Sequence, residues 1–214
     1  MFDVYVQHQF LKTPEGSPFE VPTLALAKAI EEEWERDPSP NYAQKPLTSL
    51  VATALDRVKE ARESYITYVI QSIASDVILF WAPIPESLVK LQEEKWASVL
   101  EEINIILDLE LKSTLTFSID PLSFEEEEKI RVFLYQLTAF KFAGLVHLLA
   151  LTSSFCLSVL VLKGRLSPQQ AWDLAHLHEI DQRRLWSEDK EGLLREQNLK
   201  EELFETVRFL ELVV

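Results

Sequence analysis

Four glycines in 214 residues restrict what this chain can fold into more than any other single feature. Soluble proteins average about 7 % glycine. Tight β-hairpins draw heavily on positive-φ residues, which glycine supplies without steric cost. A chain this short of glycine is ill suited to an all-β fold and well suited to long helices. Its length allows one good core, or two small ones with a shared interface.

The hydrophobic pattern agrees. "FDVYVQH" alternates Phe2, Val4 and Val6 with polar neighbours, a strand pattern, and "KTPEGSP" supplies a turn that lets "FEV" pair back. From Thr23, a good N-cap, the period changes: Leu26, Ala27, Ile30 and Trp34 share a helix face, the glutamates around Trp34 solvate the rest, and Pro38 and Pro40 stop the helix. Thr48 is read as the cap of "SLVATALDRV". A bend over residues 59–64 separates it from a stripe at Tyr65, Ile66, Val69, Ile70 and Ile73. "ESLVKLQEEKWASVLEEINIIL" is amphipathic, with Leu88, Leu91, Trp96, Val99, Leu100 and Ile103 inward. Ser123 with Glu126, and Ser167 with Pro168 and Gln170, form capping boxes. The last helix, from Glu188 to Leu212, has Leu193, Leu194, Leu203, Phe204, Val207 and Leu210 as its spine.

"LKSTLTFSID" alternates over residues 111–119 like a strand and needs partners, for which the N-terminal hairpin is the obvious source. The expected fold class is α+β: a small N-terminal β element (residues 1–22, completed by strand 111–119) packed on a larger all-α domain of residues 23–214.

Residues 142–162 carry no formal charge and could span a bilayer by length. Thr152, Ser153 and Ser154 read instead as a helix end followed by a new N-cap, which splits the run into two core helices. A membrane-anchored helical protein is the reading this split disfavours.

Composition excludes other classes. A net charge of −14 opposes nucleic acid, whose binders need a basic face. Cys156 is the only cysteine, so neither an internal disulfide nor a thiolate cluster can form, which fits a reducing compartment. The start has neither the basic nor the apolar region of a secretory signal. No phosphate-binding glycine motif and no H-E-x-x-H occur. His176 and His178, two apart, face different ways on a helix, and a Cys156–His147 nucleophilic pair would lie in an apolar run where thiols are inert. An α+β enzyme with an unrecognised carboxylate site is the rival from the catalytic class.

Tryptophans and acids recur instead in four blocks. The first holds Pro22, Thr23, Ala27, Ala29, Ile30, Glu33 and Trp34; the second Pro46, Leu47, Thr48, Leu50, Thr53 and Asp56. The third holds Asp76, Leu79, Ala82, Leu88, Gln92 and Trp96; the fourth Ala171, Trp172, Leu177, Glu179, Gln182, Trp186, Glu188 and Asp189. In this order and spacing the chain resembles the assembly chaperones of the F-type ATP synthase that hold the new alpha subunit of the catalytic head. Ala52, Ala97-Ser98, Asp181 and Ser187 stand where the family has other residues.

The resemblance implies a non-catalytic chaperone with no cofactor. It would bind the unassembled alpha subunit, without nucleic acid or membrane insertion, and prevent its aggregation until beta subunits displace it. A monomer is expected, in the bacterial cytoplasm or the mitochondrial matrix. Trp34, Thr48, Asp56, Asp76, Trp96 and Trp172 are expected to be structural. Glu179, Gln182, Trp186, Glu188 and Asp189 are expected to face the partner, Trp186 at a helix junction and the two acids in the first turn of the next helix.

Overall fold

The computed structural model describes residues 1–6, 9–116, 121–178 and 190–214. It is α+β: short strands at the start, then helices. β1 (Phe2–Asp3) pairs antiparallel with β4 (Glu20–Val21), and β2 (Tyr5–Val6) with β3 (Gln9–Phe10). Val4 sits between the two pairings, 1 % exposed, and its carbonyl accepts the Leu11 amide at 2.9 Å. Gly16, at φ 86°, makes the turn that returns the chain, a conformation costly to a residue with a Cβ. Val4, Phe19 and Val21 join the same core as the helices. The small β unit is stabilised by that packing, since an isolated hairpin is marginal in water.

The helices are α1 (Leu24–Arg36), α2 (Pro46–Ala52), α3 (Arg62–Ser72), α4 (Glu86–Leu107), α5 (Phe124–Gln136), α6 (Ala139–Thr152), α7 (Phe155–Leu162), α8 (Pro168–Ala175) and α9 (Lys190–Leu212). A turn of π-helix, Thr53–Val58, continues α2, and Lys59–Ala61 form the expected bend. Thr23 caps α1, and both capping boxes are formed.

Residues 142–162 divide as their hydroxyls require. Ser153 ends α6 in the left-handed conformation at φ 50°, and the Ser154 side chain caps α7 by accepting the Leu157 amide at 3.1 Å. Both helices are buried in the body, and no described helix is long and apolar enough to cross a membrane. α6 also crosses α9 closely: a Cβ on Gly144 would lie 2.5 Å from Leu210 Cδ2.

Three expectations need correction. Thr48 is not a cap: α2 begins at Pro46, whose missing N–H and fixed φ suit the first helical position. The strand expected at 111–119 is absent from residues 111–116. There Thr114 makes one parallel bridge, to Phe80 in the helical part, while β1 and β2 pair only within the first 21 residues. The Asn104 side chain takes up both backbone groups of Leu111 at 2.9 Å, and Thr114 Oγ1 turns the chain by accepting the Thr116 amide. Residues 117–120 of that stretch lie outside the described residues. On α9, Leu194 and Phe204 face solvent, whereas Leu203, Val207, Phe209 and Leu210 are buried.

Candidate functional site

The first two motif blocks meet at the α1–α2 junction. Trp34 packs inward beside Ile30, as its spacing requires, but Glu33 is buried with it rather than solvated. The reason is the start of α2, where Lys45 offers no side-chain cap. Glu33 supplies one from α1: its carboxylate accepts the amides of Leu47 and Thr48 at 2.9 and 3.0 Å and the Thr48 hydroxyl at 2.6 Å. A carboxylate at a helix N-terminus satisfies orphan amides and complements the partial positive charge of the dipole there. Trp34 Nε1 donates to Thr48 Oγ1 at 3.0 Å, and Tyr42 meets the indole edge-on. Lys45, fully buried, lies 4.7 Å from the Trp34 ring centroid and donates to Asp37 at 3.0 Å and to the Ser39 carbonyl at 2.7 Å. The Ser39 amide and the Lys45 ammonium hold the Asp37 carboxyl below its usual range.

Asp56, in the π-turn, ties the β unit to the helices: its Oδ2 accepts the Glu15 amide at 3.3 Å. Nearby, the Tyr42 hydroxyl donates to the Lys12 carbonyl.

Asp76 of the third block is wholly buried at the α6–α7 break. One oxygen accepts the Ile78 amide, capping a turn of 3-10 helix, and the other accepts the Cys156 amide in the first turn of α7, each at 3.0 Å. The Val77 amide donates to the Ser153 carbonyl. Burial pushes the Asp76 carboxyl up, against the pull of those amides. Burial, with the Asp76 charge second, pushes the Cys156 thiol well up. A thiol so held is a poor nucleophile, and His147 instead pairs with Glu202 at 2.9 Å.

The third and fourth blocks join on α4. Gln92, fully buried, accepts the Ala82 amide at 3.1 Å and meets His178 Nε2 at 2.7 Å. Trp96 Nε1 donates to the Leu174 carbonyl at 3.0 Å, and its ring lies 5.1 Å from His178. Trp172 is buried and stacks on His176 at 3.8 Å. Trp34, Thr48, Asp56, Asp76, Trp96 and Trp172 are all buried, and all but Trp172 hydrogen-bond across to another element. Sequence reasoning left out Glu33, Lys45 and His178 from these junctions. The signal available for Glu33 was its place in the first motif block.

Chemically, the buried carboxylates accept backbone amides rather than face a cavity, and no group of three or more His, Cys, Asp or Glu among the described residues could hold a metal ion. A cleft of about 780 Å³ lies over residues 108–116 and the start of α5. Glu179, Gln182, Trp186, Glu188 and Asp189 lie outside the described residues.

Residues 1–104 match the family model of the ATP12 chaperone protein. Protein atp12, mitochondrial, of Schizosaccharomyces pombe is 31 % identical over 189 residues, covering 82 % of this chain and 65 % of that protein. The chain thus spans under two thirds of that relative. Atp12 from Paracoccus denitrificans, in its crystal structure, superposes with a TM-score of 0.87 at 26 % identity, over 97 % of this chain and 89 % of that one. A single-residue variant of the Paracoccus protein gives 0.88 over 96 % and 88 %. In sequence and in fold the chain is similar to the Atp12 chaperones.

Proposed function

We propose that this chain is a non-catalytic assembly chaperone of the F-type ATP synthase that binds the unassembled alpha subunit of the catalytic head. The likeness to the Atp12 chaperones in sequence and fold carries the reading. An unassembled alpha subunit exposes the apolar surface that beta subunits later bury, and large patches of that kind aggregate. Reversible cover suffices, provided it is weaker than the final interface, so that beta subunits displace it by mass action. Such a task needs neither cofactor nor nucleotide. The compartment is the bacterial cytoplasm or the mitochondrial matrix, and the protein works as a monomer.

The segment of Glu179, Gln182, Trp186, Glu188 and Asp189 is part of the proposed partner surface, with Trp186 as aromatic anchor and the acids complementary to basic client residues. The test is whether the purified chain co-elutes with isolated alpha subunit and suppresses its aggregation without added nucleotide. Glu179→Lys and Glu188→Lys should then weaken protection while leaving the melting temperature unchanged. Equal protection by both variants at low and moderate salt would remove the segment from the binding surface.

A further inference from the structure

We propose that the turn of residues 12–17 is a strap poised to lift off the helices, with Asp56 as its latch. The strap is independent of the chaperone reading. Asp56 sits in the π-turn after α2, an irregularity found most often at functional sites. It is 7 % exposed. Its Oδ2 accepts the Glu15 amide at 3.3 Å, a long hydrogen bond. Its Oδ1 accepts no hydrogen bond from the protein and is closed off from any water-sized space. A buried carboxylate oxygen without a donor is costly. Among the described residues, no other buried side chain is left in that position.

The turn over Asp56 is built to move as a unit. Its own bonds close it: the Thr13 amide donates to the Ser17 carbonyl at 3.0 Å, the Gly16 amide to the Thr13 carbonyl at 2.9 Å, and the Ser17 amide to Thr13 Oγ1 at 3.1 Å. Of residues 12–17 only Thr13 is buried. Among the described residues, two hydrogen bonds tie the turn to the helices, Glu15 amide to Asp56 and Tyr42 hydroxyl to Lys12 carbonyl. Asp56 and Tyr42 lie within electrostatic reach: burial first, and the Asp56 charge second, pushes the Tyr42 phenol up. The Tyr42 proton therefore has two acceptors to choose between. With the turn down it goes to Lys12, and Asp56 Oδ1 has no donor. With the turn lifted, the carbonyl of the exposed Lys12 is hydrated, the Tyr42 hydroxyl swings to Asp56 Oδ1, and Oδ2 opens to water. The lifted state leaves no buried acceptor without a donor. Val4, Phe19 and Val21 stay in the core throughout, so the motion is confined to the strap.

Amide hydrogen exchange followed by NMR at constant pH tests this on wild type, Asp56→Asn and Asp56→Ala. The carboxamide of Asp56→Asn keeps an oxygen for the Glu15 amide and offers an N–H where Oδ1 stood, which the Tyr42 hydroxyl oxygen can accept. The down state is then satisfied, and the Glu15 amide should exchange about tenfold more slowly than in wild type. Asp56→Ala removes the acceptor, and the same amide should exchange faster. A carboxylate that merely clamps the turn predicts the opposite sign for Asp56→Asn, because a neutral acceptor is weaker than a charged one. Faster or unchanged exchange in Asp56→Asn therefore overturns the strap. The Leu11 amide, bonded to the Val4 carbonyl within the β unit, is the control and should hold its rate. If it changes in step with Glu15, the whole β unit opens and the strap is overturned. Should Asp56→Asn fail to fold, wild type decides alone: relaxation dispersion on the microsecond to millisecond scale should be confined to residues 12–17 and Tyr42, and its absence there overturns the proposal.

Discussion

Thr48 gives both of its hydrogens to Glu33, its amide at 3.0 Å and its hydroxyl at 2.6 Å, while accepting the Trp34 indole N–H at 3.0 Å. Two neighbours on α1 thereby fix where α2 begins. Thr48→Val keeps the shape and removes the hydroxyl, leaving the Trp34 N–H buried without its acceptor. The expected loss is about 1–3 kcal/mol in urea unfolding. Trp34→Ala opens a cavity besides and should cost about 3–5 kcal/mol. The double variant should lose less than the sum, because the residues share one network. Additive losses would show that the contacts are independent.

Asp76 predicts a pH dependence. Burial holds its native carboxyl above the unfolded value of about 3.9. The native state therefore keeps a proton that the unfolded chain has released. This contribution is complete below the unfolded value and is lost as pH rises through the native one. Asp76→Asn cannot titrate, so wild-type stability relative to the variant should fall as pH is raised from about 4. Urea midpoints of both proteins at several pH values measure it, with the other titrating groups cancelling. A difference that stays flat, or grows with pH, would reverse the assignment.

Gly144 predicts a steric one. Alanine there gains helix propensity of about 1 kcal/mol, but its Cβ would meet Leu210 Cδ2 at 2.5 Å and Cγ at 2.9 Å. Overpacking of this kind costs about 1–3 kcal/mol, so Gly144→Ala should destabilise the protein. Leu210→Ala on the Gly144→Ala background should cost less than Leu210→Ala alone. An unchanged melt for Gly144→Ala would mean that α9 shifts without resistance.

The α4–α8 junction should respond locally. Trp96→Phe keeps an aromatic ring and removes the donor to the Leu174 carbonyl. Amide hydrogen exchange should then quicken at residues 174–178 more than in α6. Uniform acceleration would assign Trp96 to global stability instead.

The legible parts of this fold were those governed by neighbours in sequence. Ser153 and Ser154 announce a cap and a stop, and the capping boxes need only a reach of three residues. Glu33 and Lys45 were illegible for the opposite reason. The Glu33 carboxylate looks like its solvated neighbours until Leu47 and Thr48 are folded against it, and Lys45 looks exposed until the Trp34 ring covers its ammonium. The alternation at residues 111–116 was genuine, but the Asn104 side chain takes the backbone groups of Leu111, and the Leu79 carbonyl and Trp81 amide take those of Thr114, which a sheet would have used. Of the candidate partner face, the 179–189 segment was read from motif alone.

The break at Ser153 also bears on how the chain is made. As they leave the ribosome, residues 142–162 are an uncharged stretch of bilayer-spanning length, the kind of segment that cellular targeting systems are built to notice. Asp76 emerges well before them and is already available to receive the Cys156 amide when it appears. Folding α7 back across α6 turns a stretch of spanning length into core, and Asp76, made earlier in the chain, holds the fold-back closed through the Cys156 amide.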